Sequence, residues 1–205
     1  STAQKCCYIA SFCRYFLVEV CSKYLMLGFP MRGRVVAMVE GAVAAALASI
    51  LSLIVLYRLP QGGSVTLASV VPIWIVSLRR GALIGAVSGL TLGVLNFLQN
   101  PQVIHPVQPF LDYPLAFACL GIAGLFPSRP ITGAILSVCA RFGCHFLSGV
   151  IFFSSYADAA EKGAVIYSFI YNLSSVLPDL VLALLLYSLL QRRAPHLFGM
   201  GSSPS

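Results

Sequence analysis

Arg141, His145, Gly149 and Phe153 recur at four-residue spacing inside an apolar stretch long enough to cross a bilayer. Four residues turn an α-helix about 40° past one full turn. The four therefore form a slowly drifting stripe that carries a cation, an imidazole, a gap and an aromatic ring. Ionisable groups at membrane depth are costly, and face a protein interior or a polar cavity. Two readings follow. In one, His145 is satisfied by a neighbouring helix and Gly149 lets that helix approach closely. In the other, this helix walls a binding groove in which Gly149 makes room for a ligand. Further candidates lie elsewhere: Asp112 and Tyr113 open one apolar run, and Tyr167 and Asn172 sit in the first turns of the last.

The elements that position these residues are set by composition. Of 205 residues, 59% are hydrophobic and only 9% charged, against about 25% charged in soluble domains. This is the composition of an all-α, multi-pass membrane protein. The net charge of +7 does not mark a nucleic-acid binder, because the cations punctuate apolar runs and act as topology signals. Of seven cysteines, Cys119, Cys139 and Cys144 fall inside apolar runs, where a thiol behaves as a small apolar side chain. No Cys/His spacing suits a metal. There is no phosphate-binding loop, HExxH or nucleophile elbow. A transporter of this kind draws its energy from ions or from other subunits, and the scarcity of acids favours other subunits.

Six spans are expected, at about 35–57, 66–78, 83–98, 110–126, 131–153 and 164–190, within a membrane domain covering 31–193. The second is short of the roughly 20 residues a crossing needs. Residues 1–30 read as a separate extension, either an amphipathic surface helix or a segment upstream of a start at Met31. Residues 194–205 are rich in Pro, Gly and Ser and read as a disordered tail. If Arg32 and Arg34 are cytoplasmic and each span crosses once, Arg79, Arg80, Arg129, Arg192 and Arg193 fall inside, while Arg58 and Lys162 fall outside. That is a positive-inside pattern with both termini cytoplasmic.

This topology brings Asp112, His145, Phe153, Tyr167 and Asn172 to one depth, the outer part of the bilayer. A carboxylate among aromatic rings and an amide suits a flat, cationic small molecule. Tyr167 and Asn172 are five residues apart, about 140° around a helix, so both face one groove only if it is wide or the helix irregular. Glu40 reads as a snorkelling carboxylate, Asp179 as a plug for the kink at Pro178, and Arg141 as a partner for either acid. Ala42 and Ala46, and likewise Ala44 and Ala48, have the four-residue spacing that lets helices pack closely.

Several motifs coincide, in order, over residues 34–193: Gly62-Gly-Ser-Val-Thr-Leu-Ala-Ser69, Ser77-Leu-Arg-Arg-Gly81, Phe110-Leu-Asp-Tyr113, Leu120-Gly-Ile-Ala-Gly-Leu-Phe126, Arg141-Phe-Gly-Cys-His145 and Gly163-Ala-Val-Ile-Tyr167 followed by Asn172. Together they resemble the thiamine-specific substrate-binding (S) components of energy-coupling-factor transporters. The resemblance implies six membrane helices with a thiamine site near the outer surface, and no enzymatic activity or cofactor. It also implies association with a transmembrane coupling subunit and two cytoplasmic ATPases that consume ATP. In that family an AxxxA motif in the first helix makes the contact, and Ala42 and Ala46 match it. Asp112 stands where the family usually has Glu facing the ligand, and Tyr113 follows it. His145 and Phe153 would flank the thiazolium ring, Gly149 would leave space, and Tyr167 and Asn172 would hold polar groups. A sibling S component for another vitamin is the alternative within transport. From another class, an intramembrane enzyme would use Asp112 or Asp179 with His145. Depth separates these ideas: Asp112 and His145 should meet, and Asp179 should lie apart from them.

Overall fold

In the computed structural model the chain is described over residues 31–59, 63–153, 163–194 and 197–198. The readings of residues 1–30 lie outside the described residues, as does Lys162 in the topology argument, and of the tail only Ala194, Leu197 and Phe198 fall within them. The Phe198 ring packs edge-on to Tyr187 at 5.0 Å.

Six helical segments and one hairpin form the described chain. Helix α1 is Met31–Leu53, followed by strands β1 (Val55–Arg58) and β2 (Ser64–Thr66). Helix α2 is Val71–Arg80 and α3 is Ala82–Gln99. The fourth segment, α4, joins an α turn (Gln108–Phe110), a π turn (Leu111–Leu115), a second α turn (Ala116–Ala118) and a 3-10 stretch (Cys119–Leu125). Helices α5 (Pro130–Phe152) and α6 (Ala164–Arg193) complete the chain.

Four of the six, α1, α3, α5 and α6, are long and apolar enough to cross a membrane. The other two are departures from uniform spans, and each has a local cause. The first expected span stops at Leu53, because the chain then turns into the antiparallel pair β1–β2, with Val55 opposite Thr66 and Arg58 opposite Ser64. The class is thus all-helical except for this hairpin. Helix α2 has only 10 residues, about 15 Å of rise against a hydrocarbon core of roughly 30 Å. It spans nothing by itself and instead fills the middle of the bundle. Pro72 supplies its first turn, and Gly81 ends it at φ 92°, a conformation open to glycine. Trp74 on α2 is fully buried; its Nε1–H donates to Ser137 Oγ at 3.0 Å and its ring meets Tyr187 edge-on. In α4, Pro114 removes a backbone donor, and the wider π turn around it takes up the fault.

Lipid tails are as apolar as leucine, so helices in a bilayer associate through close packing rather than through exclusion of water. The glycines of α3 achieve this. A Cβ at Gly89 would strike the carbonyl oxygen of Phe117, and one at Gly93 would lie 2.5 Å from that of Tyr113. The α3 and α4 backbones are therefore in direct contact. On α1, Ala44, Ala45 and Ala48 are buried while Ala42 and Ala46 are exposed beside Met38, Val43 and Ile50. Of the two small-residue pairs, Ala44/Ala48 packs inward and Ala42/Ala46 does not. Glu40 is not left to solvent: it accepts from Arg80 Nε at 2.7 Å and Nη2 at 2.6 Å, with Arg79 at 3.8 Å. This fork ties α1 to the end of α2.

Adding a methyl group at the α3–α4 contact should be as harmful as overpacking a core. Gly89→Ala is expected to lose about 1–3 kcal/mol, read as a lower melting temperature in detergent. Gly143→Ala, where an added Cβ meets nothing, should melt at or above wild type.

Candidate functional site

A cavity of about 430 Å³ opens among the hairpin, α3, α4, α5 and α6. Asp112, Tyr113, His145, Gly149, Phe153, Tyr167 and Asn172 all line it. Helical period explains the α5 contribution, since His145, Ser148 and Gly149 follow Arg141 at steps of three and four. The π turn of α4 carries Asp112 and Tyr113 to the facing wall.

Asp112 is held from three directions. Its Oδ2 accepts from Gln108 Nε2 at 2.6 Å and from Ser148 Oγ at 2.7 Å. Its Oδ1 lies 3.2 Å from His145 Nδ1. On the far side of that ring, Arg141 Nε donates to His145 Nε2 at 3.4 Å. A guanidinium can only donate, so Nε2 is the acceptor and the ring proton sits on Nδ1, aimed at Asp112. In that tautomer the imidazole bridges a cation and a carboxylate.

Arg141 is itself neutralised by Asp179, whose Oδ2 lies 3.6 Å from Nη1, and its guanidinium carbon stands 4.3 Å above the centroid of the Phe117 ring. Asp179 Oδ1 accepts from the Thr66 amide at 3.2 Å and from Thr66 Oγ1 at 2.9 Å. The Thr66 hydroxyl has then spent its proton, so the Ser69 hydroxyl, 2.9 Å away, donates to it. Here the structure overturns an expectation. Asp179 neither lies apart from the site nor plugs the kink at Pro178; it lines the same cavity. The reason is tertiary: the hairpin folds in against α6, and Arg141 spans the remaining gap.

The other predicted residues meet the cavity in different ways. The Tyr113 hydroxyl donates to the Asn100 carbonyl at 2.9 Å and accepts from the Gln102 amide at 3.1 Å, clamping the α3–α4 connection. Tyr167 stacks on Tyr171 at 6.1 Å, and the Tyr171 hydroxyl accepts from the Gly63 amide at 2.9 Å, tethering the hairpin. Asn172 Nδ2 donates to the Ser168 carbonyl at 2.9 Å and the His145 carbonyl at 3.3 Å, joining α6 to α5. A Cβ at Gly149 would collide with Ser168 Oγ. The space at Gly149 therefore admits α6 as a close neighbour while the glycine still borders the cavity. Phe153 ends α5 at the cavity wall.

Gln108, Ser148, Thr66 and Tyr171 also line the cavity, and the sequence reading did not single them out. Gln108 is four before Asp112, and Ser148 three after His145, so helical spacing could have found both. Thr66 and Tyr171 depend on where the hairpin folds, which no local pattern reveals. Among the described residues no cluster of three His, Cys, Asp or Glu could hold a metal.

Long apolar helices around one polar, solute-sized cavity define a multi-pass cell-membrane protein of the solute-binding class. The chain belongs to the family described as thiamine transporter protein, which matches residues 38–199. It is 34% identical over 183 residues to the thiamine transporter ThiT of Bacillus subtilis strain 168, covering 80% of this chain and 94% of that one. It is 30% identical over 148 residues to ThiT of Lacticaseibacillus paracasei, covering 62% of this chain and 73% of that one. A solved structure of ThiT from Listeria monocytogenes aligns with a TM-score of 0.73 at 28% identity, over 81% of this chain and 98% of that one.

The Arg141–Asp179 pair is buried, so removing one partner strands a charge. Asp179→Ala is expected to lose about 3–5 kcal/mol of stability, and Thr66→Val, which removes one hydrogen bond to that carboxylate, about 1.5–3 kcal/mol. Thermal melts of the two variants check the order; a wild-type melting temperature for Asp179→Ala would show that the pair contributes nothing.

Proposed function

We propose that the chain is a high-affinity thiamine-binding S component of an energy-coupling-factor uptake transporter, and that it works as a binder rather than an enzyme. The observation that carries this reading is Asp112: a carboxylate fixed by three neighbours on a cavity that also presents Phe153, Tyr167 and Tyr171. Thiamine contains a flat thiazolium cation and an aminopyrimidine. Aromatic faces attract such a cation, and the carboxylate supplies its counter-charge through a charge-assisted contact. The family and the named relatives support thiamine as the solute. In the proposed orientation both termini are cytoplasmic and the cavity lies toward the outer face, following the arginine distribution.

Calorimetric titration of purified protein with thiamine and a panel of other vitamins tests the ligand; binding of another vitamin but not thiamine overturns it. Asp112→Asn should lose about 2–5 kcal/mol of binding free energy, as when one member of a desolvated charge pair is removed. Glu40→Gln, far along α1 and committed to Arg80, should bind as wild type. Equal losses in the two titrations would assign Asp112 a structural role only.

A binder without a nucleotide site cannot concentrate its ligand, so it needs a surface for a motor. The exposed Ala42/Ala46 face of α1 is that surface in this reading, because small side chains let a partner helix approach closely. Ala42→Trp combined with Ala46→Trp should leave thiamine affinity unchanged, yet abolish co-purification with the coupling subunit and abolish uptake. A folded double variant that still transports thiamine would rule this surface out.

A further inference from the structure

Cys119 and Cys144 come from different helices, yet their Sγ atoms lie 3.9 Å apart, both partly buried. Neither helical period nor a CxxC spacing pairs them, and nothing in the binding site uses either thiol. Their position bears on the site all the same. Segments α4 and α5 run antiparallel, so the contacts Asp112–Ser148 and Asp112–His145 are followed, further along the same seam, by Cys119–Cys144. Cys144 immediately precedes His145. Cys119 is the first residue of the 3-10 stretch, where α4 changes helical pitch and follows a π turn. Such junctions are the adjustable points of a helix.

We infer that Cys119 and Cys144 form a reversible dithiol site whose oxidation to a disulfide locks α4 onto α5 and so controls access to Asp112. A disulfide needs sulfur atoms at about 2.05 Å, so the pair must close by roughly 2 Å, and the pitch change at Cys119 is where α4 can shift. The oxidant is hydrogen peroxide. One thiol sulfur attacks a peroxide oxygen, the O–O bond breaks, the thiol proton passes to the departing hydroxide, and a sulfenic acid and water result. The second thiol then displaces the sulfenic oxygen as a second water, leaving the S–S bond. Two thiols are oxidised by two electrons in total and the peroxide is reduced to water. A low-molecular-weight thiol returns the pair to its reduced form by exchange.

The consequence for binding rests on the proposed role of Asp112. That carboxylate stays on its contacts with His145 and Ser148, so an arriving cation is met by adjusting the spacing of α4 and α5 across the seam. A covalent tie one layer along the same seam resists this adjustment and holds the two helices at one spacing. Oxidised protein should therefore bind thiamine more weakly, by about fivefold or more, the lower end of usual coupling between sites.

The test uses the full chain in detergent, treated with hydrogen peroxide, then alkylated and mapped by peptide mass spectrometry. A Cys119–Cys144 linked peptide is expected, absent from Cys119→Ser and from Cys144→Ser. Titration with thiamine should show weaker binding in the oxidised protein, recovery after reduction, and no response to peroxide in either Ser variant. Recovery of both cysteines alkylated after peroxide treatment overturns the proposal, and so does a linked peptide with unchanged affinity. If the reduced protein binds no thiamine, the ligand assignment fails instead, and the linked peptide still decides whether the dithiol site exists.

Discussion

The guanidinium of Arg141 sits near the middle of a membrane-length helix, and its neutralisation constrains most of what surrounds it. An unpaired ion in such a setting costs several kcal/mol even after relaxation, against a total stability of about 5–15 kcal/mol for a domain. The fold therefore has to deliver a carboxylate, and it does so from α6 with Asp179. Asp179 in turn has lone pairs to satisfy, and Thr66 from the hairpin fills them. The remaining faces of the cation are met by the Phe117 ring and by His145 Nε2. One charge thus fixes the relative placement of α4, α5, α6 and the hairpin, and it selects the tautomer that presents a proton to Asp112.

Such a network can close only if the backbones are near enough, and small residues bring them there. Gly89 and Gly93 set α3 directly against α4, and Gly149 sets α5 against Ser168 of α6. Bulkier residues at these three places would move the helices apart and open the hydrogen bonds across the seams. The short, buried α2 performs the opposite task. Trp74 and Ile73 fill the bundle interior, and the polar cavity lies where the hairpin, α3, α4, α5 and α6 surround it. The packed interior and the cavity are two results of the same distribution of large and small side chains.

The Arg141–His145–Gly149–Phe153 stripe was legible in the sequence because helical period is a local property, and once the helix forms these residues must share a face. Asp112, Tyr167 and Asn172 were expected together from alternating crossings, and what the structure supplies is the cavity they share. What stayed hidden is what depends on contacts between distant segments. The hairpin replaced an expected continuation of α1, because strand pairing across a turn leaves only a weak local pattern. Asp179 was misplaced for the same reason: its partner Thr66 is remote in sequence, and the cavity extends further along α6 than the expected depth allowed. The five-residue step from Tyr167 to Asn172 keeps neither from the cavity. Asn172 turns its amide back to the α5 backbone while Tyr167 stacks on Tyr171, so the two border the cavity from different angles.

The charge balance along the cavity follows from these pairings and limits what can occupy it. Arg141 and Asp179 cancel each other within 3.6 Å. His145 is neutral, because its Nε2 is an acceptor for Arg141. Arg58, at the exposed end of β1, also lines the cavity, but solvent screens a charge there far more than one inside. Among the described residues, Asp112 has no arginine or lysine partner in the cavity and is held by hydrogen bonds with Gln108, Ser148 and His145. In the proposed reading a monocation completes the balance. A neutral solute leaves the carboxylate without a counter-charge, and an anion opposes it directly. In the proposed reading a preference for a cation depends on Asp179 as much as on Asp112: by consuming the charge of Arg141, Asp179 leaves the Asp112 carboxylate without a cationic partner from that side chain.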